Sequence, residues 1–92
     1  MNRSELAAAV AATTHLSQAE AEQAIAATLE AITASLTRGE SVTLSGFGSF
    51  ERRERAARSG RNPRTGESIE IPAAQVPAFK AGSALRRRVT GA

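Results

Sequence analysis

Apolar and polar positions follow two different periods along this chain, and the change falls at Gly39. Asn2 can cap a helix, with Glu5 three residues on completing a capping box. Leu6 and Val10 then recur at helical spacing until Thr13, Thr14 and His15 break the pattern. Ser17-Gln18-Ala19-Glu20 forms a second capping box. After it Ala21, Ile25, Leu29, Ile32 and Leu36 step by 4, 4, 3 and 4, which is one face of a long helix. Gly39, just past Arg38, is the C-terminal stop. Two helices joined by a short turn make a helical hairpin.

Beyond Gly39 the period falls to two. Val42 and Leu44 alternate with polar neighbours as in a short strand. Gly46-Phe47-Gly48 is a tight turn and Phe50 begins the next strand. Residues 51–58, ERRERAAR, carry no apolar face, and residues 59–66 hold the turn signals Asn-Pro and Thr-Gly. Ile69 and Ile71 alternate with Ser68 and Glu70 in a returning strand that Pro72 stops. Val76 to Lys80 reads as one more short strand. Gly82-Ser83 introduces a last short helix, with Leu85 and Val89 four apart and Gly91 at its end. The order is α-α-β-β-β-α, an α+β fold. The outer part of the strand pair at 51–71 has nothing to pack it onto a core, and such a ribbon is marginal in water. It is therefore expected to project as an arm, mobile until it meets a partner. From Glu51 to Arg61 it could reach ~35 Å at ~3.3 Å per residue.

Charge gives the arm a purpose. Residues 1–51 hold two basic and six acidic side chains, a net of −4, whereas residues 52–92 hold ten and three, a net of +7. Such asymmetry indicates a polyanion partner for the second half. Eleven of the twelve basic residues are Arg, whose planar fork suits phosphate and groove edges. Composition leaves DNA, RNA, anionic lipid and an acidic protein all open. The arm holds Arg52, Arg53, Arg55, Arg58, Arg61 and Arg64 against Glu54 alone. A merely solvated face mixes signs, and this one is six to one. Arg55, Arg58 and Arg61 are three apart, while strand side chains alternate by two, so a flat ribbon scatters them over both faces. A twisted ribbon following a groove could turn both faces to phosphate.

Length and composition set further bounds. Ninety-two residues make one domain, too small to be comfortable alone. With no cysteine there is no disulfide framework or thiolate metal site, which leaves idealised helix packing or oligomerisation as the way to a larger core and fits a reducing cytoplasm. No segment is apolar for the ~18 residues a membrane span needs. The start, MNRSELAAAV, places Glu5 ahead of its apolar residues, unlike a signal peptide. Phe47, Phe50 and Phe79 could serve as base-stacking platforms, which would point to single strands or RNA. Core is the better account of them, because two flank the glycine turn and can extend a small core into a partner subunit. His15 has no acidic or cysteine cluster at metal-ligand spacing, and no nucleophile motif or phosphate loop is present. No catalytic residue, metal or cofactor is expected. By spacing alone Pro63 is an ordinary turn proline; the functional alternative is an apolar wedge entering between base pairs.

Gly46-Phe47-Gly48-Ser49-Phe50, Arg55-Ala56-Ala57-Arg58, Gly60-Arg61-Asn62-Pro63-Arg64-Thr65-Gly66 and Val76-Pro77-Ala78-Phe79-Lys80 closely resemble the bacterial HU/integration host factor family, and the likeness spans the chain. The resemblance implies an intertwined homodimer or heterodimer with a helical dimerisation base at 1–39, a saddle sheet at 40–82 with its arm at about 52–71, and a C-terminal helix at 83–92. That sheet is three-stranded and antiparallel, and Phe47, Phe50 and Phe79 belong to the dimer core. DNA contacts are implied for Arg3, Arg53, Arg55, Arg58, Arg61, Asn62, Arg64, Thr65, Gly66, Lys80 and Arg86, with Pro63 intercalating. Family members often carry lysine where this chain has Gln18 and Ser83, so outer contacts should weaken or shift to Arg86, Arg87 and Arg88. The stretches 52–58 and 71–73 are more like HU than like integration host factor. The expected protein is thus a nucleoid-associated, cytoplasmic architectural protein that binds double-stranded DNA in the minor groove with little sequence preference and bends it. Two other expectations are a site-specific bender of the integration host factor kind and an RNA-binding or acidic-protein-binding module.

Overall fold

The computed structural model describes residues 1–91. It contains helices α1 (Arg3–Thr13), α2 (Gln18–Thr37) and α3 (Ser83–Thr90), and strands β1 (Val42–Leu44), β2 (Gly48–Arg55), β3 (Arg58–Arg61), β4 (Ser68–Ile71) and β5 (Ala74–Ala81). The chain divides into two compact units, Met1–Ala34 and Ser35–Ala92.

In the first unit both expected capping boxes form. The Asn2 side chain accepts from the Glu5 amide at 2.8 Å, and the Glu5 carboxylate accepts from the Asn2 amide at 3.4 Å. Ser17 Oγ accepts from the Glu20 amide at 3.1 Å, and Glu20 Oε1 accepts from the Ser17 amide at 2.9 Å. Each box satisfies donors that a helix start leaves open. Ala7 of α1 and Ala21 of α2 are the only apolar side chains fully buried among the described residues. Gln18 Nε2 donates across the hairpin to the carbonyl and hydroxyl of Ser4, both at 3.4 Å. A position expected to lack a DNA-binding lysine is therefore occupied by a hairpin tie.

The backbone and side-chain hydrogen bonds from Ser17 hold the Glu20 carboxyl below its ordinary value of 4.5. A lowered folded-state pKa adds stability that is complete above 4.5 and is lost as the pH falls through the lowered value. The melting-temperature advantage over Glu20→Gln should hold at neutral pH and shrink on acidification below 4.5. An advantage that grew on acidification would contradict this sign.

In the second unit α2 ends in a left-handed glycine. Gly39 has φ +81°, the Gly39 amide donates to Leu36 O at 3.0 Å, and the Glu40 amide reaches back to Ser35 O at 2.9 Å. These bonds close the helix in a Schellman-type turn. The sheet β1-β2-β5 is antiparallel and three-stranded, as expected, with β5 on an edge. That edge accommodates Pro77, which has no amide hydrogen for the ladder. β2 begins at Gly48 rather than Phe50, because Gly48 already pairs with Leu44 and Ala81. Gly48 is buried, and a Cβ there would lie 2.5 Å from Lys80 O and 2.6 Å from the Phe79 ring. Only glycine lets that ring lie against the strand.

Five strands stand where the residue-by-residue reading gave four: Pro72 parts the returning strand from the last one as expected, and the outgoing strand is interrupted as well, after Arg55. The β2–β5 ladder runs to Arg55↔Ala74, stops over Ala56-Ala57 and Pro72-Ala73, and resumes as a separate ribbon from Arg58↔Ile71 to Arg61↔Ser68. Pro72 ends one strand and cannot donate to a ladder. The ribbon is not devoid of apolar surface: Arg58, Gly60, Ile69 and Ile71 share one face, and both isoleucines close on Gly60. The last helix was expected over 83–92. α3 ends at Thr90, Gly91 caps it in the left-handed region (φ 75°), and Ala92 lies outside the described residues.

Candidate nucleic-acid interface

Strand alternation sorts the arginines. On β2, Gly48, Phe50, Arg52 and Glu54 share one face, and Ser49, Glu51, Arg53 and Arg55 share the other. The register sets Phe50 opposite Phe79, with ring centroids 4.9 Å apart, and Phe47 lies 5.5 Å from Phe79. The first face is therefore the aromatic one. The same register sets Thr43 and Lys80 on either side of Ser49, and Thr43 Oγ1 lies 3.2 Å from Ser49 Oγ. The second face thus carries Lys80, Arg53 and Arg55 above the small residues Ala74, Val76 and Ala78.

Glu51 is the one carboxylate of that β2 face, and it holds Arg53 at 3.3 Å in an exposed ion pair. The other ion pair among the described residues is Arg38–Glu40. Arg55, Arg58, Arg61, Arg64, Lys80 and Arg86 thus have no acidic partner within 4.0 Å among the described residues. Arg55 Nη2 makes only a long 3.4 Å bond to Pro72 O. Arg52 differs from the rest of the series, since its guanidinium Nη1 donates to Thr37 O at 3.0 Å. Among the arm arginines, those with no acidic partner among the described residues and no bond to the helix end therefore begin at Arg55.

On the ribbon, Arg58 lies with the isoleucines and Arg61 lies on the opposite face with Ser59, Ser68 and Glu70. The scatter expected from a spacing of three is present. Among residues 58–71 only Gly60, Asn62 and Ile71 are half-buried, and the rest are exposed. Asn62 organises the tip. Its Oδ1 accepts from the Arg64 amide at 2.9 Å, its amide donates to Glu67 O at 2.9 Å, and its carbonyl accepts from Gly66 at 2.8 Å. Thr65 Oγ1 accepts from the Glu67 amide at 3.3 Å, and Gly66 has φ 72°. Pro63 is left exposed at the apex of this turn.

Two further cationic groups complete the candidate set. Arg86, Arg87 and Arg88 are exposed on α3 and, at ~100° per residue, point three ways. Arg3 is the first residue of α1, in the helical unit. Among the described residues no cluster of His, Cys, Asp or Glu could hold a metal ion, and no helix is long and apolar enough to cross a membrane. Sequence reasoning missed Glu51, the acid within the cationic face. Its position two residues before Arg53 was the available signal.

The fold and this surface match one class of protein. Residues 1–90 match the family model described as bacterial DNA-binding protein, and the chain belongs to that family. It is 56% identical over 89 residues to DNA-binding protein HU of Geobacillus stearothermophilus, covering 97% of this chain and 99% of that one. HU of Staphylococcus aureus (strain COL) is similar to the same degree, 56% over 89 residues with the same coverage of both chains. Among solved structures, an Anabaena HU–DNA cocrystal structure has a TM-score of 0.95 at 49% identity, with 100% of both chains covered. HU from Thermotoga maritima has a TM-score of 0.67 at 30% identity, covering 97% of this chain and 98% of that one.

Proposed function

We propose that this protein is an HU-like architectural protein of the nucleoid, working in the cytoplasm as a dimer that grips duplex DNA in the minor groove and bends it. The observation that carries this reading is the pairing of a cationic sheet face, on which Arg53 alone is held by an acid, with an exposed ribbon that ends in Pro63. Arg53, Arg55, Lys80 and Arg86 take phosphates on the body, with Arg3 extending the path. Arg58, Arg61, Asn62, Arg64, Thr65 and Gly66 follow the groove along the arm. Phosphate contacts fix position and carry no sequence information directly, which accounts for low sequence preference. Catalysis has no part in this function.

Exposure supports the dimer. Phe47 and Phe79 are 45% and 44% exposed in one chain, as are Leu6 (42%) and Leu29 (43%). A second copy, supplying the same rings and the same α2 face, covers them with residues 1–39 as its base. A homodimer needs no other component. Pro63 enters between base pairs and unstacks a step for a few kcal/mol, offset by a longer wrapped interface.

Pro63→Ala should keep most of the affinity and lose much of the bend. Fluorescence energy transfer across an end-labelled duplex reads this directly, and an unchanged bend angle would remove the wedge. Gel shifts of intact, nicked and bulged duplexes against RNA of equal length test the partner. Preference for the distorted duplexes supports the reading, and equal capture of RNA would replace it with a general polyanion binder. One strongly favoured sequence would instead indicate a site-specific bender.

A further inference from the structure

We infer that Arg52 is a positioning residue that fixes the root of the arm, and that it does not bind DNA. The inference rests on the DNA-bending function proposed above. Alternation puts Arg52 on the aromatic face of β2, away from Arg53, Arg55 and Lys80. Its Nη1 donates to Thr37 O, the last carbonyl of α2, at 3.0 Å. The Schellman-type turn at Gly39 and Glu40 takes up Ser35 O and Leu36 O, and Arg52 serves Thr37 O.

The electrostatics favour the same assignment. The C-terminal end of a helix attracts a cation, and the last turn of α2 contains no basic residue. Arg38, just beyond it, is paired with Glu40 at 3.3 Å. Arg52 is the cation that remains to complement the helix end. Gly39 leaves room for it, since a Cβ there would lie 3.1 Å from Arg52 Nη2. Arg52 lies opposite Pro77 on β5, three residue pairs before the ladder stops at Arg55↔Ala74. The bond therefore fastens β2 to α2 at the level where the arm departs.

Two substitutions separate the roles. Arg52→Met removes donor and charge while keeping an unbranched stem, and Arg52→Gln, of the same length as Met, keeps an amide donor without the charge. Amide hydrogen exchange on the free protein should accelerate by tenfold or more over residues 52–55 and 74–76 in Arg52→Met, and by much less in Arg52→Gln. On DNA, the slope of log K against log salt should stay at the wild-type value in both, while bent-state energy transfer broadens in Arg52→Met alone. A slope reduced by about one per subunit in both variants would make Arg52 a phosphate ligand and overturn the inference. Unchanged exchange in Arg52→Met would also overturn it. A wild-type protein with a flat salt dependence and no bending would instead remove the proposed function, while the exchange result would still stand.

Discussion

Replacing Phe79 with alanine is expected to abolish the folded dimer at micromolar concentrations. Phe79 is the hub of the aromatic cluster, 4.9 Å from Phe50 and 5.5 Å from Phe47 by ring centroid, and its ring lies against Gly48. One chain alone fully buries only two alanines among its apolar side chains, within the described residues. In the proposed dimer the remaining stabilisation comes from the second copy. A buried Phe→Ala change costs about 3–5 kcal/mol per site, and a homodimer loses two such sites. That is comparable to the whole stability of a small domain. Denaturation at several protein concentrations checks this. The wild-type midpoint should rise with concentration, and Phe79→Ala should be largely unfolded under the same conditions. A Phe79→Ala protein that melts at the wild-type temperature, independently of concentration, would show that the rings are not the interface.

The second large effect is on binding. If a dimer neutralises about 8 phosphates, duplex affinity should fall about 10⁴-fold between 50 and 200 mM salt. Arg58 and Arg61 have no acidic partner within 4.0 Å among the described residues and lie on opposite ribbon faces. The double substitution Arg58→Ala with Arg61→Ala removes four charges from a dimer, and the same salt step should then cost only about 10². If these side chains contact the phosphate backbone, as proposed, the loss should be similar on every duplex sequence. Gel shifts across a salt series on two unrelated duplexes measure both quantities. A slope unaltered by the double substitution would mean that both ribbon faces point away from phosphate.

Local chemistry was the legible part of this chain. Asn2 with Glu5 and Ser17 with Glu20 marked two helix starts, and both boxes form as spaced. Gly39 marked the helix end, and Gly46-Phe47-Gly48 marked the turn from β1 into β2. Periodicity was less informative about burial. The face from Ala21 to Leu36 is apolar throughout, yet Leu29 is exposed and Ile25, Ile32 and Leu36 are only half-buried. A hydrophobic pattern says that a face needs covering and is silent on whether the same chain covers it. The bond that Arg52 makes was not legible in the sequence. Arg52 reads as the first of a cationic run, whereas the alternation from Phe50 already puts it on the aromatic face. Its partner, Thr37 O, is a backbone group fifteen residues upstream, which side-chain patterning does not reveal.

The turn around Asn62 has a consequence for the moment of insertion. The amides of Asn62, Arg64, Gly66 and Glu67 all have acceptors within the turn, and Pro63 has no amide hydrogen. A tip entering a base stack must shed its hydration, and each unmet donor would charge a desolvation penalty there. At these four amides that shell has been given up in advance, while the protein folds. Under the proposed insertion, base pairs closing over the apex meet an apolar ring, and of the amides from 62 to 67 only that of Thr65 has no acceptor within the turn.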